Sequence, residues 1–359
     1  MTTVLVMAGG TGGHVFPALA VARVLQDRGC RVVWLGTQKG IEARLVPAAG
    51  ISIEWIRVAG LRGKGALSWL LAPLRVARAI AESYLAIRRV QPDVVLGMGG
   101  FVAGPGGLAA RMLGCPLVIH EQNAVAGFTN RILASFANVV AEAFPGAFSP
   151  SARALSIGNP VRNDISRIGT LRGAMRKPPH LLVFGGSQGA MALNRIVPAA
   201  LAGMPCALRP IVMHQTGRGR VESTQAMYQS LGVDADVREF IDDMAAAYQW
   251  ADLVIARSGA LTVAELAAAG VPSVLVPFPA AVDDHQTANA RYLSDCGAAL
   301  LTPEKDLEPA ALADTLTNMT GDGGSKLLTM SQRALSVAKL GTDVVLADLC
   351  LAQIKRRAA

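Results

Sequence analysis

Residues 8–17 read Ala8-Gly9-Gly10-Thr11-Gly12-Gly13-His14-Val15-Phe16-Pro17, directly after the apolar run Thr3 to Met7 and before a helix-like segment from Pro17 to Arg28. The order is strand, glycine turn, helix. Glycines allow φ > 0 and close approach of the backbone to a ligand, and a helix N-terminus adds unpaired N–H groups and a partial positive charge. Such a turn suits a phosphate or diphosphate. The dinucleotide fingerprint G-x-G-x-x-G fails, because Val15 stands three residues after Gly12 and the second strand, Val32 to Leu35, ends in Gly36-Thr37 without a ribose-binding acid. A P-loop fails too, since no Lys-Ser or Lys-Thr follows the glycines. A dinucleotide oxidoreductase and a P-loop ATPase are both disfavoured.

The pattern continues through the first half. Apolar strand candidates are Val4 to Met7, Val32 to Leu35, Ile53 to Ile56, Val94 to Leu96, Leu117 to Ile119 and Val139 to Ala141, with helical segments between most of them. Near-continuous apolar strands separated by helices predict a parallel sheet covered on both faces, which binds ligands at the carboxyl ends of its strands. Those ends carry Gly10 to His14, Gly97-Met98-Gly99-Gly100 and His120-Glu121-Gln122-Asn123. After Gly158-Asn159-Pro160 the motif starts again: His180 to Phe184 leads into Gly185-Gly186-Ser187-Gln188-Gly189 and a helix from Ala190. Further strands are expected at Ile211 to His214, Val237 to Phe240, Leu253 to Ala256, Ser273 to Val276 and Ala298 to Leu301. The expectation is an α/β chain of two doubly wound, Rossmann-like domains, 1–159 and 160–341, facing each other across a cleft. A last helix, from a Thr342 N-cap to the end of the chain (342–359), closes the first domain.

With 52% hydrophobic and 17% charged residues the chain is apolar, at a mean hydropathy of +0.37. Its longest apolar candidate for a membrane span, Leu266 to Val282, is broken by Gly270, Pro272, Pro277 and Pro279. No basic residue precedes Arg23, so no signal peptide is expected, and five cysteines without a CxxC pair suit reduced thiols in the cytoplasm. The net charge of +8 is lopsided: residues 1–160 hold 15 Lys and Arg against 7 Asp and Glu, while the remainder holds 19 of each. That basic surface suits a polyanion or an anionic leaflet. Thirteen Tyr and Phe without basic-aromatic interleaving disfavour nucleic acid. The uncharged stretch Leu67 to Leu74, with Trp69, Leu70, Leu71 and Leu74 bordered by Arg62, Lys64, Arg75 and Arg78, reads either as a core helix or as a patch lying in a membrane interface.

In the second half Arg257-Ser258-Gly259-Ala260 joins a strand to a helix. A diphosphate there would meet a helix N-terminus and a cation. Glu265, in the first turns, either accepts from two vicinal ribose hydroxyls or stabilises the helix dipole. Asp283 and Asp284 read as caps, and Gln286 and Asn289, three apart, as a pair able to hold sugar hydroxyls. Asp234-Ala235-Asp236 matches the D-x-D of metal-dependent sugar transferases but reads as a solvated turn. There is no Cys/His cluster at metal spacing, and neither a tightly bound cofactor nor a protein-ligated metal is expected.

GGTGGH, VVLGMGG, HEQN, GNPVR, GGSQGA, EFIDDM, RSGALTVAE and DDHQTANA together, from residue 4 to about residue 290, resemble in order and spacing the MurG-type enzymes of bacterial peptidoglycan synthesis. These are UDP-N-acetylglucosamine:undecaprenyl-diphosphate-muramoylpentapeptide transferases. One departure is Phe101, where many members have tyrosine. The resemblance implies a GT-B fold, with the donor bound mainly by the second domain and the lipid acceptor by the first. It places Thr11, Gly12, Gly13, Asn123, Arg162, Ser187, Ile241, Ala260, Leu261, Thr262, Val263, Ala264, Glu265 and Gln286 on UDP-N-acetylglucosamine, with Gly10, Gly13, His14, Gly99 and Gly100 near the acceptor diphosphate. The implied reaction is an inverting displacement at the anomeric carbon by the C4 hydroxyl of the muramoyl sugar, in which charge building on UDP would meet helix N-termini and Arg257. His14 is the first candidate for the base, since imidazole titrates near neutrality, with orientation of the loop or of an acceptor phosphate as the alternative; Glu121 is the second candidate. A lipid acceptor implies peripheral docking of the first domain, through Trp69, Leu70, Leu71, Leu74 and Arg75, on the cytoplasmic leaflet, with partners in the cell-wall and division machinery. The rivals are another GT-B enzyme of UDP-sugars, such as a diacylglycerol glycosyltransferase or a UDP-N-acetylglucosamine 2-epimerase, and a non-catalytic nucleotide-sugar binding subunit.

Overall fold

Strand β1 (Thr3–Met7) is buried along its whole length, and this decides what surrounds it. Successive side chains of a strand point to opposite faces, so an all-apolar strand needs cover on both. Val4 and Val6 pack into one cluster with Val15, Ala18 and Leu25, while Leu5 and Met7 pack into another with Ala86, Ile87 and Ala103. Each Val, Leu, Ile or Met side chain among them contributes about 1.5–3 kcal/mol on burial.

The computed structural model describes residues 1–58, 72–171, 173, 175–186 and 189–358. In chain order β1 is followed by α1 (Gly12–Asp27), β2 (Arg31–Gly36), α2 (Glu42–Ala48), β3 (Ser52–Trp55), α3 (Ala72–Val90), β4 (Val94–Gly97), α4 (Ala103–Met112), β5 (Leu117–Glu121), α5 (Phe128–Leu133), β6 (Val139–Glu142) and β7 (Leu155–Ser156). Then come α6 (Asn163–Ser166), α7 (Ile168–Leu171), β8 (His180–Phe184), α8 (Met191–Gly203), β9 (Ile211–Gln215), α9 (Val221–Ser230), β10 (Asp236–Arg238), α10 (Met244–Trp250), β11 (Leu253–Ala256), α11 (Ala260–Ala269), β12 (Ser273–Leu275), α12 (His285–Ser294), β13 (Ala299–Leu301), α13 (Pro309–Thr320), α14 (Ser325–Val337) and α15 (Thr342–Ala358).

These elements form two units, Met1–Val161 with Gly341–Ala359, and Arg162–Leu340. In the first, seven strands run in the order β3-β2-β1-β4-β5-β6-β7; in the second, six run β10-β9-β8-β11-β12-β13. Every pairing in both sheets is parallel. Both sheets reverse direction once, between β1 and β4 and between β8 and β11. Ligands of doubly wound sheets bind at the carboxyl ends of the strands at such a switch point.

Three local expectations give way to the tertiary structure. Helix α1 begins at Gly12 rather than Pro17, so the glycines form its first turn and Pro17 lies inside it. Proline already has a helical φ, and the one hydrogen bond it forfeits, to the Gly13 carbonyl, falls near the helix start. Thr342 is the first residue of α15 and donates its hydroxyl to the Ile157 carbonyl at 2.8 Å, so it fastens the helix to the first unit rather than capping it. Leu346, Ala347 and Cys350 of α15 then pack fully buried in the α1 cluster. Asp283 and Asp284 adopt φ of 53° and 49°, and Asp284, at the N-cap position of α12, makes no side-chain capping bond.

Candidate active site

At the first switch point the turn after β1 lies against the turn after β4. Gly10 has φ +92° with open space around it, and Thr11, at the N-cap position of α1, makes no side-chain capping bond. Gly12, Gly13 and His14 form the first helical turn; the His14 N–H turns back to the Thr11 carbonyl at 3.2 Å, which leaves the N–H groups of Gly12 and Gly13 as those without an intrahelical acceptor. Gly99 and Gly100, at φ +91° and +81°, have a packing reason to be glycine. A Cβ on Gly100 would run into the Gly9 carbonyl, and one on Gly99 would stand 2.7 Å from His14 Nδ1.

His14 is half-buried, and its Nδ1 lies 2.9 Å from Gln122 Oε1. Among the described residues His14 Nε2 has no hydrogen-bond partner. Gln122 is buried; its Nε2 lies 3.2 Å from His120 Nδ1 and 3.4 Å from the His120 carbonyl, while Asn159 Nδ2 donates to the Gln122 carbonyl at 3.0 Å. His120, also buried, places Nε2 2.8 Å from the Gly158 carbonyl, and desolvation pushes its imidazolium pKa down to about 4.

Glu121, the second candidate for the base, has its carboxylate engaged by protein donors. Its buried carboxylate accepts from the backbone N–H of Asn123 (3.0 Å) and Gly127 (3.0 Å) and from the side-chain amides of Asn123 (3.2 Å) and Asn130 (2.9 Å). Four donors saturate it, and it shapes the loop after β5. A second buried carboxylate, Glu42, shapes the glycine turn. It accepts from Gly10 N (3.1 Å), Thr37 N (3.1 Å) and the Thr37 hydroxyl (2.7 Å), against Gly9, where a Cβ would come within 2.7 Å of Oε1. Sequence reasoning missed Glu42: the acid sought at the end of β2 is present six residues further on, turned to the loop backbone.

In the second unit the turn after β8 repeats the design. Gly186 (φ +80°) receives Gln215 Nε2 on its carbonyl at 3.0 Å, and Gly189 (φ +67°) lies so close to the Thr216 carbonyl that no Cβ fits. Across the switch point, Ser258 donates to the Gln286 carbonyl (2.8 Å) and its own carbonyl accepts from Asn289 Nδ2 (3.2 Å). Asn289 is fully buried and serves the β11–α11 turn, which corrects its reading as a sugar ligand. Gln286 accepts from Phe278 N at 2.9 Å through Oε1, which leaves its amide N–H groups as the end available to a ligand. Arg257 is likewise committed: it donates to the Val276 and Pro277 carbonyls, pairs with Glu304 and lies over the Phe278 ring.

Helix α11 carries Ala260, Leu261, Thr262, Val263, Ala264 and Glu265, capped by Gly259 without a side-chain bond. Val263 points into the core, so only its backbone can meet a ligand. Glu265 is buried and accepts from the Tyr248 hydroxyl at 3.0 Å. Burial raises its pKa to about 7, against the opposing pull of the nearby Arg162 guanidinium and of Tyr248. Ile241 is buried in the loop between β10 and α10. Ser187, Trp69, Leu70 and Leu71 lie outside the described residues; Leu74 and Arg75 are exposed at the start of α3. Of the D-x-D pair, Asp236 opens β10 and pairs with Arg238 on the surface.

Two parallel doubly wound units, each with a glycine turn at its switch point, make up the GT-B fold. The chain belongs to glycosyltransferase family 28, whose N-terminal domain matches residues 4–142 and whose C-terminal domain matches residues 180–344. It is 54% identical over 351 residues, 97% of its length and 98% of the relative's, to the UDP-N-acetylglucosamine–N-acetylmuramyl-(pentapeptide) pyrophosphoryl-undecaprenol N-acetylglucosamine transferase of Nitrosococcus oceani. Identity to the same-named protein of Chromohalobacter salexigens is 55% over 344 residues, 95% and 94% of the two chains. Among solved structures, the crystal structure of Acinetobacter baumannii MurG matches with a TM-score of 0.83 at 42% identity, over 98% of this chain and all of that one.

Proposed function

We propose that the protein transfers N-acetylglucosamine from UDP-N-acetylglucosamine to the C4 hydroxyl of N-acetylmuramyl-pentapeptide pyrophosphoryl-undecaprenol, inverting the anomeric centre. Identity of 54% along nearly the whole chain to transferases of that name carries this reading. The first unit takes the lipid acceptor and the second the nucleotide sugar. On the donor side the N-terminal amides of α11 receive the diphosphate, Glu265 the ribose hydroxyls, the Ile241 backbone the uracil and Gln286 the sugar, with Arg162 beside Glu265. Arg257 is neutralised by Glu304, so charge building on the departing UDP falls mainly to the helix N-terminus. On the acceptor side the first turn of α1 and the Gly99-Gly100 turn meet the diphosphate. His14 Nε2, without a partner among the described residues, takes the proton of the attacking hydroxyl, and Glu121 holds the loop that carries Asn123.

Among the described residues no helix is long and apolar enough to cross a membrane. We place the protein at the cytoplasmic surface of the membrane that holds its acceptor, bound through exposed apolar and basic side chains of the first unit. The test of the reaction is UDP release with and without the lipid acceptor. Release that requires the acceptor supports transfer; conversion of UDP-N-acetylglucosamine without it would identify an epimerase or hydrolase instead.

A further inference from the structure

The proton positions along the chain Gly158, His120, Gln122 and His14 are determined by what each atom is able to do. A carbonyl oxygen only accepts, so His120 Nε2, facing Gly158, carries the proton of a neutral ring, and its Nδ1 is left with a lone pair. Burial keeps that ring neutral at physiological pH. The side chain of Gln122 therefore turns its NH2 group toward His120, where Nδ1 and the carbonyl of the same residue both accept. Its oxygen is then the end that faces His14 Nδ1 and can only accept a proton from it. In water the neutral imidazole favours the opposite tautomer, with the proton on Nε2.

We infer that Gln122, oriented by His120, is a positioning residue that holds His14 in the Nδ1–H tautomer with the Nε2 lone pair turned outward as the base. The inference rests on the reading of His14 as the base, but its structural half stands apart from that reading. Gln122 is buried and does not reach the reacting atoms itself; it acts through the ring it holds. Gly99 completes the arrangement, because a side chain there would push against His14 Nδ1 and displace it from Gln122.

The test pairs the histidine 15N spectrum of the full-length protein with steady-state kinetics, the His14 signal being assigned by its loss in His14→Gln. In the wild type His14 shows the Nδ1–H pattern. Gln122→Met keeps the volume but removes the acceptor; it moves His14 toward the Nε2–H pattern and lowers kcat by about tenfold or more, with little change in KM for UDP-N-acetylglucosamine. Gln122→Glu, whose carboxylate still accepts from Nδ1–H, keeps the Nδ1–H pattern and a kcat above that of the methionine variant. A His14 tautomer unchanged in Gln122→Met overturns the positioning role. A tautomer that changes while kcat does not supports the positioning and removes His14 as the base, which separates the two failures.

Discussion

Glu265 holds its proton into a pH range where an ordinary glutamate has lost it, because burial disfavours the carboxylate more than Arg162 and Tyr248 favour it. Its pKa is raised from 4.5 to about 7 in the fold, so the folded state binds more protons than the unfolded one between those values, and stability declines as pH rises through that window. Ribose hydroxyls donating to Glu265 favour the ionised form. The affinity for UDP-N-acetylglucosamine is therefore expected to rise by about tenfold between pH 6 and 8, and Glu265→Gln to bind more weakly with a flat pH profile by calorimetry. A slope that survives in the variant would assign the titration to another group. His14, Glu265 and Gln286 were visible in the sequence because reactive residue types stood at strand–helix junctions. Glu42 was not, and Gln122, though it stood in the strand-end run His120 to Asn123, showed no role there, because their partners lie 32 and 108 residues away. The same blindness made Arg257 look like a free cation, when Glu304 neutralises it 47 residues on.

At the scale of elements, strands buried on both faces were legible from continuous apolar runs, and of the thirteen strands among the described residues twelve were expected close to where they lie. The missing one, β7, is a two-residue exposed edge strand with no hydrophobic pattern to reveal it. The start of α1 was misjudged because glycines and a proline argue against helix locally, whereas the Glu42 clamp and the Gly99-Gly100 turn fix the backbone there from outside. Helices α3, α4 and α5 leave Leu74, Leu85, Met112, Phe128 and Ile132 exposed, next to exposed Arg75, Arg111 and Arg131. Apolar side chains with a basic border suit an anionic lipid surface. Serine at Leu74, Met112 and Phe128 is expected to weaken sedimentation with anionic vesicles severalfold while leaving the thermal transition within a few degrees, since all three are solvent-facing; unchanged vesicle binding would remove this face from membrane docking.

For the whole molecule, the restart of the strand–glycine–helix pattern at His180 announced two doubly wound units, and the apolar spacing after Thr342 announced a closing helix; Leu346, Ala347 and Cys350 of α15 pack within the first unit. The sequence could not show which face of each glycine turn is spent on protein and which is left for a ligand. In both units one side of the turn is packed so tightly that only glycine fits, at Gly100 against Gly9 and at Gly189 against Thr216. Residue identity alone does not separate that packing role from ligand approach. Both units together serve inverting transfer of N-acetylglucosamine to a polyprenyl diphosphate muramoyl acceptor in the proposed reaction. Its most direct test is to incubate the protein with labelled UDP-N-acetylglucosamine and a short-chain acceptor analogue and determine the product linkage by NMR. Inverting transfer yields one labelled sugar per acceptor, β-linked to the C4 oxygen, with one UDP released per transfer; an α linkage, another position, or no labelled acceptor rules it out.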